Sequence, residues 1–255
     1  MPSRICNNFK KLVYDNKGLG GEKWFCTDFS TQEQFIIKPE EPIQGYNEYF
    51  AQSFIKLLGL PNIKIKWCDL GGQKLCGTIY EKGLKKIKKA DMLNFNSEQK
   101  KQFLSLYVIN RILLNYDFIE FYLRPNGEVV TLDFGESLFM DVKLFKACEL
   151  YLDDTKTFED ALKANLTPDN MSKVLNELSK YKMGRLDKDY DEAVLGVYKN
   201  ISLLSEESFD SFLSDIREYV GEWEYSFYKR IINALISAIN QTNRPLLWND
   251  ILNED

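Results

Sequence analysis

Asp133 closes the apolar run Val129–Leu132 and is followed by Phe134 and Gly135. A carboxylate at a strand end, with a glycine behind it that lets the chain turn sharply, offers hard oxygens to a magnesium ion that carries phosphates. Sixteen residues earlier, Asn115-Tyr116-Asp117 places a second carboxylate after a helical pattern and before a short hairpin. Lys38 ends the apolar run Phe35-Ile36-Ile37, where an ammonium can face phosphate oxygens. Glu48, ten residues on, can hold that lysine by an ion pair. Gly18-Leu19-Gly20-Gly21 lies between two strand-like segments, and a turn without Cβ atoms lets backbone N–H groups approach phosphates. Its spacing fits neither GxxxxGK[ST] nor GxGxxG. Taken singly, these are a hairpin turn, a strand-end lysine and a helix-start acid. Their order along the chain is what points to phosphate chemistry.

Other chemistries are excluded by composition. The 255 residues contain no histidine, which removes Ser-His-Asp triads, Cys-His nucleophiles and HExxH zinc sites. Any reaction must run on carboxylates, lysines, backbone amides or a bound metal. Cys6, Cys26, Cys68, Cys76 and Cys148 form no CxxC pair, so they read as small buried hydrophobes rather than zinc ligands or a disulfide framework. Thirty-three basic against 38 acidic residues give a net charge of -5, which argues against broad nucleic-acid binding. The start, MPSRICNNFKK, lacks a signal peptide's apolar run, and no stretch of about 18 apolar residues could span a bilayer. The expected location is the cytoplasm.

The elements that must position these residues follow from periodicity. Segments 9–16, 22–29 and 33–39 read as strands, and residues 47–60 as a helix with Phe50, Phe54, Leu57 and Leu58 on one face. Gly59 stands where a C-cap glycine belongs. Strands are expected again at 63–70 and 74–81. The lysine group in GLKKIKKAD (83–91) reads as a solvated linker. Residues 98–114 place Phe103, Leu106, Ile109 and Leu113 on one helical stripe. Short strands at 121–123 and 128–134 flank a turn at Pro125–Gly127, and helices follow from Phe139. The clearest spans 222–240, with Trp223, Phe227, Ile231, Leu235 and Ile239 at helical spacing.

The runs FIIKP…NEYFAQSFIKLLGLP and LLNYDFIEFYLRPNGEVVTLDFGESLF resemble the lysine strand, Asn-Glu helix and catalytic segment of the HipA-like kinases, a branch related to the phosphoinositide kinases. The resemblance spans residues 18–139. It implies an α+β, two-lobed, protein-kinase-like fold: a small mixed β-rich N-lobe over residues 1–82 and a mostly helical C-lobe over 83–255. It also implies ATP, Mg²⁺ and transfer of the γ-phosphate to a hydroxyl, Ser or Thr of a protein partner. By the match Lys38 binds phosphate, Glu48 is its helix partner, Asp117 is the catalytic aspartate and Asp133 the metal ligand. Gly18, Gly20 and Gly21 cover the phosphates, and the backbone at Tyr80–Lys82, around Glu81, faces adenine. The sequence departs from the family pattern after Asp117. Ile119 stands at the histidine position and Tyr122 at the second metal ligand, normally Asn, which leaves Glu120 as a substitute ligand. Three outcomes stay open: a divergent active kinase, a nucleotide-binding pseudokinase, or a fold kept for interaction as a regulator, effector or toxin–antitoxin component.

Overall fold

A computed structural model describes residues 9–14, 23–38, 42–70, 72–113, 115, 120–135 and 186–241. Five strands form an antiparallel sheet: β1 (Phe9–Tyr14), β2 (Lys23–Asp28), β3 (Gln34–Ile37), β4 (Ile65–Leu70) and β5 (Gln73–Ile79), in the spatial order β1-β2-β3-β5-β4. Alternation along β3 buries Phe35 and Ile37 beside Cys26, Cys68 and Leu75, and Lys38 stands immediately past the last buried position. Cys26, Cys68 and Cys76 are buried, the place expected of small hydrophobes.

Between β3 and β4 the chain crosses as α1 (Pro42–Leu57). Proline at the first helical position lacks only a donor that would have no partner there. The helix ends at Gly59, whose φ of +72° suits a residue without Cβ, and Leu60 N–H returns to the carbonyl of Ile55. The sequence predicts one buried face, but the helix is covered on more than one. Tyr46, Asn47, Glu48, Tyr49, Phe50, Ala51, Gln52, Phe54 and Ile55 are all buried, while Leu57 of the expected stripe is 36% exposed.

A second antiparallel sheet joins β6 (Lys85–Lys86), β7 (Glu120–Leu123) and β8 (Val129–Leu132). The lysine run is therefore more than a solvated linker. Lys85 and Lys86 pair with Leu123 and Tyr122, and α2 (Lys89–Met92) follows. The β7–β8 turn contains Gly127 at φ +89°, as the Pro-Asn-Gly sequence predicts.

Helix α3 (Ser97–Ile112) begins with a capping box: Asn96 Oδ1 accepts from Gln99 N–H, and Gln99 Oε1 accepts from Asn96 N–H. Its predicted stripe of Phe103, Leu106, Ile109 and Leu113 is buried. The C-terminal part of the described chain is helical: α4 (Leu186–Ser202), a 3-10 turn (Glu206–Phe209), α5 (Asp210–Tyr219) and α6 (Glu222–Gln241). One hydrophobic cluster runs through α1, α3, α4, α5 and α6. Its seam on α1 is aromatic, with Phe50 stacked on Tyr228 at 5.1 Å and edge-on to Phe212 at 5.5 Å. No described helix is long and apolar enough to cross a membrane.

The buried face of α6 corrects the predicted stripe. Tyr228, Ile231, Ile232 and Leu235 are buried, Phe227 is half-buried, and Trp223 is 42% exposed. The cause is geometric. Steps of four residues drift about 40° around a helix of 3.6 residues per turn, so a strict i+4 row winds off any fixed face. Ile239's side chain lies outside the described set. Leu235→Ala should cost about 2–5 kcal/mol in denaturant unfolding, whereas Trp223→Ala should cost about 1 kcal/mol or less. Equal losses at the two positions would contradict this face.

Candidate functional site

Lys38, at the exit of β3, and Asp133, at the exit of β8, are 95 residues apart in sequence and meet at the same point. Lys38 Nζ donates to Asp133 Oδ1 at 3.1 Å and to Gln44 Oε1 at 3.3 Å. The two side chains keep 30% and 43% exposure, so the pair faces solvent. Asp133 has a φ of +71°, the left-handed region that aspartate tolerates better than most residues. That backbone turn swings the carboxylate out of the strand while Phe134 goes fully into the core.

Glu48 holds this turn. It is 7% exposed; its Oε2 accepts from Phe134 N–H at 2.6 Å and its Oε1 accepts from Gln52 Nε2 at 2.8 Å. Burial pushes the Glu48 carboxyl above its ordinary value. The Gln52 and Phe134 donors oppose the shift, the Asp133 charge adds to it and Lys38 reduces it. A cation at Asp133 would therefore also favour the ionised form of Glu48. The sequence predicts a direct Lys38–Glu48 ion pair. Among the described residues the contact is indirect: Lys38 pairs with Asp133, and Glu48 secures the next residue's backbone.

Side chains to which the sequence assigns no role of their own complete the frame. Gln52 Nε2 also donates to Thr131 O at 2.9 Å, and Gln52 Oε1 accepts from Ile63 N–H at 2.8 Å. Asn115 Nδ2 donates to Asp133 O at 3.2 Å and to Asn110 Oδ1 at 2.8 Å. Asn47 Nδ2 donates to Gly135 O at 2.9 Å. Gly135 lies close under Gln44; a Cβ there would stand 3.0 Å from the Gln44 Cβ. Buried amides suit this work because each can donate and accept at once. Their sequence signal is weak, since polar residues inside helix patterns usually face solvent.

Two further candidates are each engaged by other side chains. Glu120 lies opposite Leu132, one residue before Asp133. Its carboxylate is paired with Lys86 and accepts from the Tyr122 hydroxyl. Burial, and that bond to a carboxylate, push the Tyr122 phenol upward, so it stays protonated and donating. The Glu81 carboxylate takes a two-pronged bond from Arg124, with Nε and Nη2 both at 2.6 Å, and Arg124 Nη2 also reaches Asn62 O at 2.7 Å. This leaves the Glu81 backbone, not its side chain, as the part that could meet a base. Asp117, Gly18, Gly20 and Gly21 lie outside the described residues.

The set fits a magnesium–phosphate ligand by its chemistry: a half-exposed hard-oxygen carboxylate lies beside a half-exposed ammonium, and the turn that carries the carboxylate is held from behind by buried bonds. Among the described residues no group of three or more His, Cys, Asp or Glu side chains that could hold a metal ion occurs. Glu48→Ala should cost about 1–3 kcal/mol, because it strands the buried Phe134 and Gln52 donors. Lys38→Ala should cost about 1 kcal/mol or less, because a solvent-facing pair contributes little. Denaturant midpoints check both, and a reversed order would contradict this division of roles.

Compared with known proteins, the sequence matches no family model and no curated protein sequence. The fold is similar to that of the Helicobacter pylori proinflammatory kinase CtkA, with a TM-score of 0.56 and 14% identity over 95% of this chain and 100% of that one. A Shewanella oneidensis structure of the HipA, HipB toxin–antitoxin system with its operator DNA is matched at a TM-score of 0.33 and 13% identity, over 94% of this chain and 65% of that one. The fold of this chain is a kinase-like α+β fold.

Proposed function

We propose that this chain is a divergent ATP- and Mg²⁺-dependent kinase of the HipA-like kind, transferring the γ-phosphate of ATP to a hydroxyl, Ser or Thr of a protein, in the cytoplasm. The observation that carries the reading is the meeting of Lys38 and Asp133 at 3.1 Å, with Glu48 fixing the backbone between Asp133 and Gly135. A kinase-like fold supports it coarsely. In this reading the lobes are residues 1–82 and 83–255, and the Glu81–Arg124 pair lies beside the hinge between them.

Magnesium, when bound, neutralises charge that develops on the phosphates. Asp133 would hold it through a carboxylate oxygen, and Lys38 would turn its ammonium from Asp133 to the phosphate oxygens. Asp117 would orient the acceptor hydroxyl and take its proton as the new O–P bond forms and ADP leaves. Gly18, Gly20 and Gly21 would supply backbone N–H groups over the phosphates, and the backbone at Tyr80–Lys82 would face adenine. Glu120 would serve as second metal ligand only by releasing Lys86 and Tyr122. That engagement favours the second reading, an inactive nucleotide-binding or interaction module, since the position of the usual Asn is filled by a phenol that is itself a donor.

Incubation with γ-labelled ATP and Mg²⁺, with candidate protein acceptors present, tests the proposal. Label transfer should be abolished in Asp133→Ala and reduced about 100-fold or more in Asp117→Asn, which removes a proton acceptor and not a phosphate ligand. Asp117→Asn should leave nucleotide affinity within about twofold of wild type. Nucleotide binding without any label transfer selects the inactive reading. Equal, small effects of both substitutions would contradict the assigned roles.

A further inference from the structure

Asn47 and Glu48 are consecutive on α1, and they grip consecutive residues of the Asp133–Gly135 turn. Glu48 takes the Phe134 N–H, and Asn47 Nδ2 donates to the Gly135 carbonyl at 2.9 Å. Asn47 is fully buried, and its Oδ1 accepts from the Tyr228 hydroxyl at 2.8 Å. Tyr228 belongs to α6, 181 residues further along the chain, and is itself 1% exposed. The polarity of this relay is forced. A carbonyl can only accept, so the amide nitrogen must face Gly135, and the hydroxyl, able to do either, donates to the amide oxygen.

We propose that Tyr228 is a positioning residue for the metal-binding segment: through Asn47, helix α6 fixes the Gly135 carbonyl and so the direction in which Asp133 leaves β8. The role of Asp133 rests on the kinase reading; the mechanical link does not. An amide side chain can rotate by half a turn and present oxygen to oxygen, and a donor on its far side removes that freedom. The ring of Tyr228 stacks on Phe50, one helical turn from Asn47, so the hydroxyl is aimed by packing and not by a flexible stem. A separate bond, Tyr49 hydroxyl to Asp215 Oδ2 at 2.6 Å, ties α1 to α5 without touching the turn.

That second bond supplies the control. Tyr228→Phe keeps the stacked ring and removes one hydroxyl; Tyr49→Phe removes a comparable hydroxyl from the other tie. Residue-resolved amide hydrogen exchange on the full chain, without nucleotide, should show Phe134 N–H exchanging about tenfold faster in Tyr228→Phe, with amides of α3 within about twofold of wild type. Tyr49→Phe should leave Phe134 N–H within about twofold. No change at Phe134 in Tyr228→Phe, or an equal change in Tyr49→Phe, would overturn the link. With ATP added, Tyr228→Phe should lose several-fold of the magnesium-dependent affinity while metal-free binding stays constant. A wild-type chain that binds no ATP but shows the exchange difference refutes the kinase reading and leaves the link standing. A wild-type chain that binds ATP but shows no exchange difference does the reverse.

Discussion

The bond from Phe134 N–H to the buried Glu48 carboxylate is the constraint on which the site depends. It joins a helix of the first sheet region to a strand end of the second, across 86 residues of sequence. Without it, nothing described on α1 would fix the backbone N–H of the residue after Asp133, and Asp133 sits in a left-handed conformation that its neighbours must maintain. The cost is a carboxylate held in a dry place, expressed as its upward shift. Gln52 shares that cost by donating to the same carboxylate and to the backbone of β8.

This constraint explains why α1 is buried around so much of its surface. Its Glu48 and Gln52 side meets β8, its aromatic residues meet α5 and α6, and Tyr46 stacks on Trp67 of β4. A helix that positions a charge among four neighbouring elements cannot rotate without breaking several contacts at once. Lys38 and Asp133 differ in kind: half-exposed and joined by a weak pair, they are free to exchange one another for other partners. Rigid support behind and exchangeable charge in front is the arrangement expected of a binding site.

Lys38 and Asp133 were legible in the sequence because each closes an apolar run, and Glu48 because it lies in a segment with a clear helical period, although the helix starts at Pro42 and places it mid-helix. The lysine follows Phe35-Ile36-Ile37, and the aspartate follows Val129–Leu132. The relation of Glu48 to the other two was only partly legible, since an ion pair and a bond to a neighbouring N–H leave the same trace in sequence. Gln52 and Tyr228 left almost none, since their meaning lies in partners 79 and 181 residues away; Asn47 and Asn115 stand inside the motifs, but nothing in the sequence shows their bonds to Gly135 and Asp133. The strand Lys85–Lys86 was invisible because two residues carry no period and become a strand only through β7. Trp223 was misplaced because a row of every fourth residue was followed past the point where it leaves the core.

The account rests on Lys38 and Asp133 forming one magnesium–phosphate site, and calorimetric titration of ATP tests this most directly. With wild-type protein, affinity in the presence of Mg²⁺ should exceed that in EDTA about tenfold or more, and Asp133→Asn should remove the difference. ATP affinity that is the same with and without Mg²⁺, or unchanged in Asp133→Asn, would contradict it.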